Sequence, residues 1–356
     1  MSRILLTGAG GSAAFNFNDS LKQNTGKHYV VGCDIRPEHL EQIDVNSKYI
    51  IPAVSDPGYV DAINRIVKKE KIEFLHSQPD VEVAFWSKPE NQKKTGAKIF
   101  LPPAEVVELC FNKMKFNERL AAKKVDVPMA FHITSKDDLK SALKELLKIQ
   151  PKIWLRAIRG AGSRASLPIN SFYQGDAWIN YWRTFRGIDY GDFMASEFLP
   201  GHEFAWQSLW YKGKLVTAQA RERLEYIFGN LTPSGQTSSP SVAKTVNRED
   251  INEIGQAAVK AVSDKPHGVF CVDLKEDARG VPKVTEINPG RFFTTSNFFA
   301  HAGLNMPDMY VELALTGKLK NKPKKLNVLP ENLYWVRMID MGFKLVKDGK
   351  WTSQKI

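Results

Sequence analysis

Apolar positions near the start of the chain come in short runs separated by stretches with helical spacing. Arg3-Ile-Leu-Leu-Thr7, Tyr29-Val-Val-Gly-Cys-Asp34, Tyr49-Ile-Ile-Pro, Ile72-Glu-Phe-Leu-His76 and Lys98-Ile-Phe-Leu101 read as strands, and Tyr59 to Lys69 as a helix between two of them. That alternation predicts a parallel α/β domain of about 105 residues. Further on the pattern changes to strand pairs joined by tight turns. Phe204 to Tyr211 and Lys214 to Thr217 flank a Lys212-Gly213 turn. Val269 to Val272 and Val281 to Thr285 flank Lys275-Glu-Asp-Ala-Arg-Gly280, a second hairpin turn. A helix from about Met306 to Leu315 follows, then strand-like runs at Leu333 to Ile339 and Phe343 to Val346.

The second hairpin carries the most informative chemistry. It places Asp273 and Glu286 on neighbouring strands, with Asn288 two residues on and facing the same side. Three hard oxygen donors at one point suit Mg²⁺ that also holds phosphates, though an acidic solvent-facing hairpin has the same composition. Arg291 beside the acids fits the negative charge that develops in phosphoryl transfer. Upstream, Ile153-Trp-Leu-Arg156 runs into Ala157-Ile-Arg-Gly160-Ala-Gly162-Ser163-Arg164, where glycines free backbone N–H groups for an anion. Gly229 to Pro240, rich in Gly, Ser and Thr, has the composition of either a lid or a plain linker.

The start of the chain points elsewhere. Thr7-Gly8-Ala-Gly10-Gly11-Ser12 after a strand, with Asp34 ending the next strand, is the dinucleotide fingerprint in outline and would make the chain an NAD(P)-dependent oxidoreductase. The third glycine is missing, since Ala13-Ala14-Phe15 occupy its region. Any βαβ unit needs a tight turn there. Ser77-Gln-Pro-Asp80-Val-Glu82 follows a strand's carboxyl end, where such sheets bind ligands, so Gln78, Asp80 and Glu82 are candidates for a substrate pocket.

Taken in order, these pieces resemble the ATP-grasp superfamily, in its carbamoyl-phosphate-synthetase large-subunit-like branch of carboxylate–amine ligases. Phe111-Asn112-Lys113, the helix to Leu120 and Val125-Asp-Val-Pro128 resemble the helix that opens that fold, with Asn112 where the family has an acid. Phe193-Met-Ala-Ser-Glu197-Phe198-Leu199-Pro-Gly201-His-Glu203 resembles its adenine-reading hinge, and Arg221-Glu-Arg223 its basic strand. The resemblance implies a Rossmann-like pre-ATP-grasp domain over residues 1–108 and an ATP-grasp domain over 109–325. A small lid-like subdomain would lie within 109–195 and the metal site within 196–325, with a strand-rich tail over 326–356. It implies ATP and Mg²⁺ as cofactors, with Mn²⁺ able to substitute. Lys113, Arg156, Gly160, Gly162 and Ser163 would hold phosphates; Glu197, Phe198 and Leu199 would read adenine, and Glu203 ribose. Asp273, Glu286 and Asn288 would be the metal ligands, and Arg223 and Arg291 would act on the transferring group. Arg156 stands where most of the family has lysine and resembles the carbamoyl-phosphate-synthetase branch; it offers a bidentate fork instead of a point charge.

The implied activity is ADP-forming ligation of a small carboxylate to an amine through an acyl phosphate. Phosphorylation of bicarbonate or carbamate is the alternative within the family, and a non-catalytic nucleotide-binding protein the alternative outside it. The 356 residues carry 50 Lys and Arg against 39 Asp and Glu, a net charge of +11. The basic residues are dispersed, which argues against nucleic acid. Cys33, Cys110 and Cys271 sit in apolar runs, as buried thiols of a reducing cytoplasm do. No run approaches the ~18 apolar residues of a membrane span, and the start lacks a secretory pattern. A homodimer fits this reading. His301 shows no partner in the sequence and reads as structural.

Overall fold

The computed structural model describes residues 1–160, 165–237, 239–337 and 353–356. Its first sheet consists of β1 (Ser2–Thr7), β2 (His28–Asp34), β3 (Ser47–Ile50) and β4 (Phe74–Ser77), all parallel, in the order β3-β2-β1-β4. Alternation along β1 sends its side chains to two cores. Ile4 and Leu6 pack with Phe17 and Leu21 of the helix Ser12–Lys22, and Leu5 packs with Ile63 and Ile66 of the helix Tyr59–Glu70. Both faces are covered, as a parallel sheet requires. The run Lys98 to Leu101 does not become a strand. Lys98 makes a single bridge to Phe74, and Pro102-Pro103 then remove the donors that would extend the ladder.

A small antiparallel sheet follows, made of β5 (Ala130–Ile133), β6 (Ile153–Ala157), β7 (Leu167–Ile169) and β8 (Phe193–Glu197) in the order β5-β8-β6-β7. The helices Lys136–Leu146 and Phe172–Arg186 cover it through Leu139, Leu146 and Ile179. The third sheet contains β9 (Glu203–Tyr211), β10 (Lys214–Tyr226), β11 (Pro240–Val246), β12 (Gly268–Glu276), β13 (Pro282–Pro289) and β14 (Tyr334–Val336), ordered β13-β12-β9-β10-β11-β14. Its two faces differ in chemistry. Phe204, Trp206, Phe270, Val272 and Leu274 form a buried core with Ile251, Ala258 and Val259 of the helix Glu249–Val262. Gly255 of that helix lies so close to the Trp206 ring that a Cβ would sit 2.6 Å from it. The opposite face carries the polar residues described below.

β14 runs beside β11, and β15 (Gln354–Lys355) adds to the edge of β3. Residues 338–352, with most of the strand-like runs expected after Leu333, lie outside the described residues. The helix Met306–Thr316 is tied to the first sheet by Asp308, which accepts from Lys27 at 2.6 Å and from Asn24 at 3.0 Å and bonds the His28 ring at 2.6 Å. Burial alone would raise the Asp308 carboxyl, but its bonds to His28 and Lys27 hold it below its ordinary value.

Candidate functional site

Antiparallel pairing builds the site from rows of side chains. Asp273 on β12 faces Glu286 on β13 and Ala205 on β9, and Ala205 faces Arg221 on β10. Because alternate residues share a face, Cys271 with Asn288 and Gln207 forms the next row, and Lys275 with Glu203 and Arg223 the row on the other side. A register shift after Asp273 keeps both acids on the polar face while Val284 and Leu274 enter the core. Asp273, Glu286 and Asn288 therefore converge.

The acids meet a belt of cations. Arg223 bridges Asp273 at 2.6 Å and Glu203 at 2.9 Å, and Glu203 also accepts from Gln236 at 2.8 Å and from the Tyr226 hydroxyl. Arg291 donates to the Asn288 side-chain oxygen at 2.6 Å and pairs with Asp80. Lys113 is buried, 3.7 Å from Glu286, and donates to the Gly160 carbonyl at 2.7 Å. Asn112 caps the helix Lys113–Ala122 by accepting from Lys115 N at 3.0 Å, so the amide does the capping work of the acid it replaces. Arg156 donates to the Thr285 carbonyl at 2.9 Å while its Nε has no partner among the described residues. Burial would raise Glu286, yet Lys113, Arg156 and Arg291 hold it below its ordinary value. Burial raises Asp273, offset in part by Arg223.

These groups line a cavity of about 200 Å³ that contains Lys113, Arg156, Gly160, Glu203, Arg223, Asp273, Glu286, Asn288 and Arg291 together. Gly162 and Ser163 lie outside the described residues. Arg221, Gln236 and Thr237 are also in the wall: Arg221 comes from the basic strand, and Gln236 and Thr237 from the Gly229 to Pro240 segment whose composition suits a lid or a linker. Arg221 was legible in part, since Arg-Glu-Arg on a strand puts Arg221 and Arg223 on one face. Gln236 and Thr237 belong to the Gly- and Ser-rich segment and bring it to the cavity. Among the described residues no three His, Cys, Asp or Glu side chains gather as metal ligands. Two carboxylates and an amide oxygen fit a hard cation that keeps waters or phosphate oxygens, and do not fit a soft tetrahedral metal.

A second cavity of about 540 Å³ adjoins the first and shares Trp154, Arg156, Glu203, Arg223, Tyr226, Gln236 and Thr285 with it. Ser196, Glu197, Phe198, Leu199 and Gly201 form its hinge-side wall. A Cβ at Gly201 would meet Glu276 at 2.6 Å, so only glycine lets the chain pass there. The Glu197 carboxylate accepts from Lys283 at 2.7 Å and faces a cavity on the far side of the hinge as well. That ion pair joins residues 86 apart and has no local sequence signature.

Near the amino terminus the glycines serve packing. A Cβ on Gly8 would sit 2.4 Å from the Pro79 side chain and one on Gly10 would sit 2.3 Å from His39. Asp34, which would take a ribose in a dinucleotide site, accepts from Gly10 N at 3.1 Å. Of the three substrate-pocket candidates, Gln78 accepts from Phe292 N at 3.2 Å and Asp80 pairs with Arg291, so both lean on the loop after β13. Glu82 corrects the expectation: it is 6% exposed and accepts from the Tyr59 hydroxyl at 2.7 Å inside the first sheet's core. The cause is that Asp80–Trp86 is helical, which turns Glu82 inward. His301 does have a partner, Asp19, at 2.8 Å.

No family model matches the chain, and no curated protein matches it. Solved structures do. The L-amino acid ligase of Bacillus licheniformis superposes with a TM-score of 0.61 at 15% identity, covering 89% of this chain and 74% of that one. The biotin carboxylase domain of the Hydrogenobacter thermophilus 2-oxoglutarate carboxylase, solved with MgADP and bicarbonate, gives 0.69 at 15% identity over 94% of this chain and 73% of that one. The N5-carboxyaminoimidazole synthetase of Staphylococcus aureus with ADP gives 0.67 at 16% identity over 91% and 80%. The chain, with its parallel sheet followed by two antiparallel sheets, thus shares the fold of these proteins, the ATP-grasp fold.

Proposed function

We propose that the chain is an ATP- and Mg²⁺-dependent ligase that activates a small carboxylate as an acyl phosphate, joins it to an amine and releases ADP and phosphate. The observation that carries this is the pair of adjoining cavities, one walled by the hinge and one by two acids among cations, with Arg156 and Arg223 in the wall between them. Adenine would lie against Glu197, Phe198 and Leu199, ribose at Glu203, and the phosphates at Lys113, Arg156 and the Gly160 loop. Asp273, Glu286 and Asn288 would hold the metal, which when bound neutralises phosphate charge and orients the transferred group. The chain's own work is positioning: Arg223 and Arg291 meet the charge of the moving phosphoryl group, and Gln236 and Thr237 help to exclude water. Division into residues 1–108, 109–325 and 326–356 belongs to the same proposal. Among the described residues no helix is long and apolar enough to cross a membrane.

Hydroxylamine supplied in place of the amine tests this, because it captures acyl phosphates as hydroxamates. ATP, Mg²⁺ and pooled amino acids and small carboxylates should give a hydroxamate in step with ADP. ADP formed with bicarbonate alone, and not raised by any organic acid, would establish the second reading, to which the biotin carboxylase likeness lends weight. ATP bound without ADP formed under any of these conditions would leave a nucleotide-binding protein.

A further inference from the structure

Two arginines of the first cavity, Arg156 and Arg221, form no ion pair among the described residues; Arg156 also lines the hinge-side cavity and Arg221 does not. Arg223 pairs with Glu203 and Asp273, and Arg291 with Asp80. Arg221 is 1% exposed, lines the cavity, and among the described residues has no carboxylate within ion-pair distance. Its guanidinium lies 3.9 Å over the Phe293 ring, one terminal nitrogen donates to the Thr295 hydroxyl, and its Nε has no partner among the described residues. Burial, with Arg223 beside it, pulls its pKa down to about 9, which still leaves it cationic at neutral pH. A buried cation without a counter-charge is costly, and one with an unfilled donor is a site prepared for an anion.

Position says which anion. The hinge-side cavity includes Arg223 but not Arg221, Arg291 or Thr294, so these three mark the end away from the adenine wall. Arg221 lies two strands from Asp273 in the same row, about 10 Å at ordinary strand spacing. Only the Ala205 methyl stands between them in that row. A phosphoryl group held at the acids would thus have Arg221 on the side opposite its nucleotide, where the group that receives it must stand.

We propose that Arg221 is the anchor for the carboxylate of the acid substrate, holding it by a charge-assisted guanidinium fork stacked on Phe293. This rests on the ligase reading above and names the recognition point within it. The cavity's small volume restricts what enters beside the phosphates to a compact acid head, with any larger part pointing toward the opening. An organic carboxylate and bicarbonate share the required chemistry.

The test is binding to protein already loaded with Mg-ADP. Acetate, glycolate, bicarbonate and individual amino acids are titrated into wild type and into Arg221→Gln, with Mg-ADP affinity measured separately for each. At least one carboxylate should bind the loaded wild type, and Arg221→Gln should weaken it by about 30-fold or more, because the other half of a buried charge pair is left uncompensated. Mg-ADP affinity should stay within about twofold. Which probe binds distinguishes an organic acid from bicarbonate. Unchanged carboxylate binding in Arg221→Gln overturns the proposal, as does a parallel loss of Mg-ADP, which would make Arg221 a phosphate ligand. A loaded wild type that binds no carboxylate overturns it too. Wild type that does not bind Mg-ADP sinks the ligase reading itself, and this inference with it. If Arg221→Gln does not fold, Arg221→Lys, which keeps the charge but not the planar fork, should show the same selective loss at smaller size; equal affinities there count against the proposal.

Discussion

Glu286→Ala should abolish ADP formation, by about 10²-fold or more, while the protein keeps its fold. Glu286 is the point where Lys113, Arg156 and Arg291 act together, and those three cations hold its carboxyl below the ordinary value despite burial. Removing it would delete one of the proposed metal ligands and would also leave Lys113 buried without the carboxylate that lies 3.7 Å away. Glu286→Gln separates the two effects. It retains shape and an oxygen donor but not the charge, and turnover should still fall steeply. Turnover measured against circular dichroism of the same samples decides the matter: near-normal rates in a folded Glu286→Ala protein would remove the metal-site assignment.

Trp206→Ala should destabilise the protein by about 3–5 kcal/mol, the range for deleting a buried aromatic side chain. Trp206 is fully buried at the centre of the third sheet's apolar face and packs on Gly255. Its indole N–H donates to Asn252 at 2.9 Å, so truncation opens a cavity and strips a buried amide of one partner. Trp206→Phe should cost less, since most of the volume stays. Denaturant unfolding followed by circular dichroism reads both, and a loss below about 1 kcal/mol for Trp206→Ala would show that this face is not the sheet's main support.

Legibility in the sequence followed distance along the chain. The Asp273–Glu286 hairpin spans few residues and carries its own turn, so its pairing could be read from apolar runs and a glycine. The strands around Leu5, Val31 and Leu75 were equally visible, because a strand buried on both faces is an uninterrupted apolar run. Lys98 to Leu101 was misread because four apolar-rich residues look like a strand whether or not a neighbour can pair beyond the first bridge. Glu82 was misread for a related reason: a residue near a strand's carboxyl end faces the ligand crevice or the core depending on where the next helix begins. Contacts such as Lys283 with Glu197 or His301 with Asp19 need the whole fold before either residue has a meaning. Arg221 lay between these cases. Its face could be read from alternation, but that no carboxylate pairs with it among the described residues could not.

The most direct measurement is a calorimetric titration of the wild-type chain with ATP and, separately, with NAD, each with and without Mg²⁺. The account predicts one ATP bound per chain, binding that chelation of Mg²⁺ greatly weakens, and no heat from NAD. Absence of ATP binding would contradict it, as would saturable NAD binding that Asp34→Ala removes.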